Sequence, residues 1–558
     1  MCRSPHASPR PLNYPLAFLS LLLMTVAAAA DQPGKPVWDA KAATHLLSRT
    51  SFVASPEEVA RLAALPLDRA VQQLIDEAAA AQPPKRPSWV RDQWINGGRR
   101  WSDMSAEEYL IVLRRNSARN RAELADLKAW WLQQMIDTKT PLREQMTLFW
   151  HGHFTSATSK ALSLSQGFYQ QNETWRKYAL GNFRDFVKAV TLDPAMMAYL
   201  DLERSNKTHP NENYARELME LFTLGVGNYT EKDVLEVARA LTGWTLDAPP
   251  GTVIVKRPTA PDRLVFASIT REGLVPTFVP KWHDEGEKTI LGKTGRFGLK
   301  EVLDVIVSHP ACGRLLAGKL IAYFGAYDPE GKLRERMTEA FRSSKYEIRP
   351  MLEVLFTAPE FYALETRGNQ IKSPVRLLVG ACRDLRLEGK ATPTLAHFTT
   401  PLGQELFNPP TVKGWPSGES WITASTLALR CRLGEMLLDG KEITGTEPLG
   451  RQRLMALSQD PKQAAATTKR LMEIDAERAE MENKDGIQMR FNPSRLMTAK
   501  APDTPEKLVD ALLERMIVTK VRPLTRTALI DTCAAVPAAD RPTLAVRLIL
   551  ASPEYQLE

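Results

Sequence analysis

The chain has 558 residues, of which 44% are hydrophobic and 25% are charged, and its formal net charge is +8 at pH 7. These fractions are typical of a globular protein and not of a disordered or fibrous one. Lys and Arg are interspersed with Asp and Glu instead of forming a basic stripe, so the charge does not indicate a nucleic-acid-binding protein.

The first thirty residues have the pattern of a secretory signal peptide. Arg3 and Arg10 precede an apolar run, Leu16 to Ala30, that ends in small residues suited to cleavage before Asp31. The run is shorter than the roughly twenty apolar residues that span a bilayer. We therefore expect residues 1–30 to be removed and the remaining chain to be periplasmic or secreted. An uncleaved membrane anchor is the alternative. No later segment has about eighteen consecutive apolar residues.

Helical patterns dominate the chain from residue 31 to residue 247. Trp38–Ala81 is helical in pattern, and Ser55 followed by Pro56 and two glutamates predicts a helix start within it. Further helices are expected over Ser105–Asp137, from Thr140 into the segment Phe149–Phe154, and over Asn172–Tyr199.

The segment Asn211–Leu224 has the clearest amphipathic pattern of the chain. At 100° per residue its apolar and polar side chains fall on opposite sides of a helix. The apolar side holds Tyr214, Ala215, Leu218, Met219, Leu221 and Phe222, and the polar side holds Glu212, Asn213, Arg216, Glu217 and Glu220. Gly225 ends this helix, and Thr230 with Asp233 predicts a capping box for a following helix that runs to Leu241.

The pattern changes over residues 248–298, where Gly and Pro punctuate short β-branched runs such as Thr252–Val255 and Thr277–Val279. Lys281–Leu291 predicts a hairpin that turns near Gly286. Helices resume over 299–438, a polar surface insertion is expected over 439–505, and closing helices over 506–558. The predicted fold is mainly α, a large multi-helical body with a small excursion that contains a β-hairpin.

Four cysteines would remain after signal cleavage: Cys312, Cys382, Cys431 and Cys533. They form no Cys-x-x-Cys pair, so a thiolate zinc site is not indicated. Disulfides are compatible with an oxidising compartment, and the sequence cannot choose among the three full pairings. All four lie in apolar helical patterns, so buried free thiols are an equally good interpretation.

His151 and His153 are the most suggestive pair of polar residues. On an extended segment both imidazoles would point to one face and could bind one metal ion, whereas on a helix they would lie 200° apart. The alternative is that they hydrogen-bond locally at a helix end, beside a core formed by Phe149 and Trp150.

Two other polar groups have a structural and a functional interpretation. Arg216 is four residues from both Glu212 and Glu220, which is typical of a solvated helix face, although Asn213, Glu217 and Glu220 could equally face a cleft. His283-Asp284 lies at the predicted hairpin tip, where polar residues usually form a turn.

At these residues the chain resembles the bacterial family known as domain of unknown function 1800. The likeness covers almost all of the chain after the signal peptide and departs mainly at 440–505. It rests on segments that occur in order: His45-Leu46-Leu47, Phe149-Trp150-His151-Gly152-His153-Phe154, Asn211–Leu221, Ala238–Trp244, His283-Asp284, Lys372-Ser373-Pro374, Gly403-Gln404, Pro409-Pro410 and Gly414-Trp415-Pro416.

The resemblance implies an exported, largely helical protein with no established activity. Genes of this family often lie beside genes for a second exported family related to sulfatases and phosphatases, which suggests a partner. Because the family motifs contain these polar residues together, a shared site is an equal alternative to a solvated face.

Two function classes therefore remain open. The first is metal-assisted hydrolysis of envelope or exported polymers by a divalent metal on His151, His153 and His283 or Asp284. Glu217 or Glu220, beside Arg216, would then act as the general base. The second is a non-catalytic envelope binding or assembly protein whose polar motifs form a structural network.

Overall fold

The structure is a computed structural model that describes residues 36–91, 106–160, 165–247, 275–439, 487–496 and 504–558. The proposed signal peptide, the predicted strand Thr252–Val255 and most of the predicted polar insertion lie outside the described residues.

Helices make up most of the regular structure, which confirms the prediction of a mainly α fold. In chain order they are α1 (Ala40–Thr50), α2 (Pro56–Ala63), α3 (Leu67–Ala80), α4 (Ala106–Asp137), α5 (Pro141–His153), α6 (Ser165–Tyr178), α7 (Phe183–Thr191), α8 (Pro194–Tyr199), α9 (Glu212–Glu217), α10 (Glu231–Ala240), α11 (Leu299–Val307), α12 (Pro310–Phe324), α13 (Lys332–Ser343), α14 (Ile348–Thr357), α15 (Pro374–Asp384), α16 (Pro393–His397), α17 (Ala424–Cys431), α18 (Leu433–Asp439), α19 (Pro505–Met516), α20 (Pro523–Ala534) and α21 (Arg541–Ala551).

Helix starts follow the local capping signals. The Ser55 hydroxyl accepts a hydrogen bond from the backbone N–H of Glu58 at the start of α2, as the Ser-Pro pattern predicts. At α10, Thr230 and Asp233 form the reciprocal capping box, in which each side chain accepts from the other residue's backbone N–H. Local sequence therefore determines where these helices begin.

The amphipathic segment Asn211–Leu224 is helical, with one departure from the expected geometry. Helix α9 continues as a π-helical turn over Leu218–Thr223, and the predicted apolar face is largely buried. The N–H groups of Leu224 and Gly225 both donate to Met219 O, at 2.8 and 3.1 Å, and Gly225 ends the helix at a φ of +82°. Wider turns of this kind are frequently found at functional sites.

Two small antiparallel pairs form the β structure of the described residues. Strand β1 (Trp244–Asp247) pairs with β2 (Val275–Phe278), and β3 (Lys288–Ile290) pairs with β4 (Lys293–Gly295). The predicted turn near Gly286 is wrong, because the hairpin turns at Leu291-Gly292, where both φ angles are positive. Gly286 instead donates its N–H to Asp284 Oδ1 at 2.8 Å, within the loop that precedes β3.

Helix α5 lies at the centre of the N-terminal helices and packs against α1, α3, α4 and α6. Being covered on several sides, it buries polar as well as apolar residues, including His151 and His153. Trp131, Trp150 and Trp175 are fully buried in the surrounding core.

The four described cysteines are free thiols. Cys312, Cys382 and Cys533 are buried, which confirms that interpretation for these three, whereas Cys431 is exposed near the end of α17. Burial raises the pKa of the Cys382 thiol to about 12, so this thiol stays protonated near neutral pH.

No single helix in the described ranges is long and apolar enough to cross a membrane. The pair Leu299–Val307 and Pro310–Phe324, bent by 68°, meets that test of length and composition when its members are taken together.

Candidate functional site

The two candidate metal-binding histidines do not form a shared site. Helix α5 continues through His153, so the extended geometry that would aim His151 and His153 at one metal ion is absent. Within the described ranges, no group of three or more His, Cys, Asp or Glu side chains could hold a metal ion, and this includes His283 and Asp284. The metal-centre interpretation is therefore not supported by the geometry of these residues.

His151 instead anchors a distant loop inside the core. Its Nε2 accepts a hydrogen bond from the backbone N–H of Phe407 at 2.8 Å, and its ring stacks on Trp175 with centroids 4.4 Å apart. Phe407 is buried with a positive φ of +61°, which costs energy in a residue with a side chain. Burial lowers the pKa of His151 to about 3, so the imidazole is neutral.

His153 uses both of its ring nitrogens. Nε2 lies 3.0 Å from Phe222 O and Nδ1 lies 3.1 Å from Lys319 Nζ. A carbonyl can only accept, so Nε2 carries the proton and Nδ1 accepts from the lysine. Burial, followed by the charge of Lys319, holds the pKa of His153 well below its ordinary value.

Lys319, on α12, joins this histidine to the end of the π-helical turn. Its Nζ also donates to Leu221 O at 2.7 Å, where the carbonyl end of the helix favours a cation. Lys319 forms no ion pair with any described carboxylate, and burial lowers its pKa to about 8. An ammonium group without a counter-ion is thus held at the junction of α5, α12 and the π-helical turn.

Lys319 lines a cavity of about 540 Å³, which we call the motif cavity. Four of the family segments reach it, from α5, the start of α15, the loop at Gln404 and the turn at Trp415. Its lining includes Phe149, Gly152, His153, Lys319, Tyr323, Asn369, Gln370, Ser373, Arg376, Gln404, Lys413, Trp415, Pro416, Trp421 and Glu558. Aromatic rings, amides and cations therefore meet at one place.

Two glycines allow the turn that carries Trp415 to lie on α5. Gly414 has a φ of +90°, and a Cβ added there would lie 2.5 Å from Gly152 O. A Cβ on Gly152 would be 3.9 Å from the Trp415 ring. The backbones at residues 152 and 414 thus touch directly, and this contact positions Trp415 at the cavity wall.

The other two cations of the cavity lining have carboxylates nearby. Arg376 pairs with the Glu558 side chain at 3.0 Å and donates to the backbone oxygens of Ser48 and Arg49. Lys413 is exposed, and its charge interacts with the half-buried Glu217.

The predicted general bases, Glu217 and Glu220, do not line the motif cavity. Glu217 makes no hydrogen bond or ion pair with a described residue; burial and then Glu220 raise its pKa, while Arg216 and Lys413 oppose that rise. Glu220 accepts a hydrogen bond from the Tyr229 hydroxyl at 2.9 Å.

Arg216 belongs to a solvated face of α9. It pairs with Glu212 at 3.3 Å, as its i,i+4 spacing predicts, and with Glu231 at 2.7 Å. The predicted pair with Glu220 does not form, because the guanidinium turns towards the start of α10. Arg216 therefore does not line the motif cavity.

His283 and Asp284 connect the loop before β3 to the end of α10 through hydrogen bonds. His283 Nδ1 lies 2.9 Å from Thr242 O, and Asp284 accepts from Arg239 at 2.8 and 3.1 Å. Gly243, with a φ of +94°, allows this approach, since a Cβ there would lie 3.1 Å from His283 Cβ. These hydrogen bonds bring two family segments into contact.

Lys319, Arg376 and Trp421 line the motif cavity but belong to none of the sequence motifs. One signal was present for Lys319, because it is a single basic residue in the apolar run Leu315–Phe324. For Trp421 and Arg376 the sequence offers no such signal, and only the packing of distant segments shows that they line the same cavity.

The protein is mainly helical, and sequence motifs that are distant along the chain meet at the motif cavity, which is lined by aromatic and cationic side chains. The chain belongs to the family described as protein of unknown function (DUF1800), whose sequence model matches residues 45–557. No curated protein and no solved structure matches the chain.

Proposed function

We propose that the chain is an exported protein that binds a glycan segment of an envelope or exported polymer in the motif cavity. The observation that carries this proposal is the composition of the cavity wall, in which Trp415 and Trp421 lie beside the amides of Asn369, Gln370 and Gln404. Aromatic faces with a few placed polar groups are typical of ligand sites. A sugar ring matches such a wall, since its C–H face is apolar and its rim of hydroxyls is polar.

The size of the cavity supports the same proposal. A volume of about 540 Å³ is within the usual range of small-molecule sites and accommodates a few sugar rings. Trp415 is held by the contact between Gly152 and Gly414, so the wall is organised before a ligand arrives. A preorganised wall loses little conformational entropy on binding.

The binding test is a fluorescence titration of the chain lacking residues 1–30. The probes are a peptidoglycan fragment, a galacturonate trimer and a neutral β-glucan trimer. We expect saturable binding of at least one probe, and W415A and W421A should each weaken it about thirtyfold, as loss of a central aromatic contact does. Trp282, which is exposed and outside the cavity, provides the matched control W282A. The proposal fails if no probe binds, or if W282A and the cavity variants behave alike.

Export is tested separately in the native host. The apolar run before Asp31 predicts a new amino terminus at or near that residue in the envelope or secreted fraction. Amino-terminal sequencing measures it, and an intact Met1 on a cytosolic species would contradict export.

A further inference from the structure

Among the described residues that line the motif cavity, Lys319 is the cation with no carboxylate acting on it. Of the cavity's described lining cations, Arg376 is paired with Glu558, and Lys413 has no ion pair with a described residue but interacts electrostatically with Glu217. Lys319 has neither an ion pair nor an electrostatic interaction with a described carboxylate. Both groups that Lys319 contacts, Leu221 O and the His153 imidazole, are uncharged. No described group neutralises the positive charge of Lys319, so this charge is available to an anionic group that enters the cavity.

Two of the three donors of this ammonium have partners among the described residues. A lysine ammonium has three N–H groups in a tetrahedral arrangement. Leu221 O and His153 Nδ1 occupy two of them, at 2.7 and 3.1 Å, and these bonds hold Nζ in place. No third partner of Nζ is found among the described residues, and Lys319 lines the cavity, so the remaining N–H is left for a group that enters it. His153 acts here as a positioning residue, since its proton on Nε2 keeps Nδ1 an acceptor.

We infer that Lys319 is the subsite for an oxyanion of the ligand, a carboxylate or a sulfate, so that the polymer recognised is an acidic glycan. This inference rests on the proposed function and names its substrate class. A partly buried ammonium without a counter-ion forms its strongest available hydrogen bond with an anionic oxygen. Arg376 neutralises Glu558, so the carboxylate on the same wall does not repel such a ligand strongly.

The surrounding wall fits an acidic sugar better than a free anion. Trp415 and, to a smaller extent, the largely buried Trp421 provide apolar surface on the wall that Lys319 shares. The exposed Asn369 provides a neutral amide, whereas both polar atoms of Gln370 are already bonded to Arg49 and Ala322 O. A ring bearing one carboxylate or sulfate would place its charge at Lys319 Nζ and its C–H face on a tryptophan. A small inorganic anion would satisfy only the first of these contacts.

The test compares galacturonate trimer with its methyl ester by titration calorimetry, using the chain lacking residues 1–30. The two probes have the same rings and differ in charge. We expect wild type to bind the acid about ten- to a hundredfold more tightly, as a charge-assisted hydrogen bond does. K319M should remove this preference and change the affinity for the ester by less than about twofold. K413M, at another lysine of the same cavity, should keep most of the preference.

The outcomes separate this inference from the proposed function. If wild type binds acid and ester equally, or if K319M keeps the preference, the glycan site stands and the oxyanion subsite is wrong. If neither probe binds, the proposed glycan function is decided by the peptidoglycan and β-glucan probes of the first binding test. The oxyanion subsite is then decided separately on wild type, by trace acetylation of lysines measured by peptide mass spectrometry. The oxyanion subsite is supported if sodium sulfate lowers the acetylation of Lys319, but not that of Lys413, compared with sodium chloride at equal ionic strength. It is overturned if sulfate does not lower the acetylation of Lys319. This last measurement also decides the matter if K319M does not fold.

Discussion

Gly414→Ala tests whether Trp415 reaches the motif cavity only because two backbones can touch. The added Cβ would lie 2.5 Å from Gly152 O, and a backbone oxygen cannot move aside as a side chain can. The φ of +90° adds a conformational cost of about 1–2 kcal/mol for any residue with a Cβ. Relieving the overlap requires the turn or α5 to shift, at a further cost of about 1–3 kcal/mol.

Gly227→Ala is the matched control. Gly227 has a φ of +85°, and a Cβ there would meet no atom within 4 Å. This variant therefore has the conformational cost without the overlap. We expect the free energy of unfolding to fall by about 2–5 kcal/mol in Gly414→Ala and by about 1–2 kcal/mol in Gly227→Ala.

Urea denaturation followed by circular dichroism measures both variants, with the midpoint compared at an unchanged slope. Glycan binding should weaken in Gly414→Ala, because Trp415 moves with the turn, and should stay as in wild type in Gly227→Ala. If the two variants lose the same stability to within about 0.5 kcal/mol, the contact between residues 152 and 414 does not constrain the cavity wall.

Three further outcomes follow from the same structure. The pKa of Lys319 is about 8 in the folded chain and about 10.4 when unfolded, so the unfolded state binds more protons between these pH values. The free energy of unfolding of wild type, relative to that of K319M, should therefore rise with pH between these two values, by roughly 3 kcal/mol at most. A difference in urea midpoints that does not change with pH would contradict this prediction. Asp284→Asn should lower the free energy of unfolding by about 1–3 kcal/mol, because the substitution removes a carboxylate beside the buried Lys288. The control Glu285→Gln, at an exposed residue, should change the free energy of unfolding by less than about 0.5 kcal/mol. Glu217→Gln should not destabilise the chain at pH 7, because partial burial disfavours the charge of the Glu217 carboxylate. The same variant should change glycan affinity by less than about twofold, and a tenfold loss would place Glu217 in the binding site.

Local sequence was enough to predict much of the helical framework. The cap at Ser55, the capping box of Thr230 with Asp233, and the apolar face of Asn211–Leu224 all involve residues within a few turns of one another. Backbone donors at a helix start must find partners nearby, so the sequence itself marks these positions. The positive φ of Gly225 likewise follows from a helix end that favours glycine.

The site was decided by contacts between residues far apart in the chain. The histidine motif suggested a metal because the sequence predicts a helix running into Phe149–Phe154 but does not show where it ends, or that other helices cover it. In the structure α5 continues through His153 and both histidines are buried. Lys319 acquires its role from the π-helical turn and from His153, which come from separate elements. The cavity wall likewise needs Gly152 to meet Gly414. Such contacts depend on how helices pack in three dimensions, so periodicity and capping identify the helices, and only the tertiary structure shows which side chains face the motif cavity.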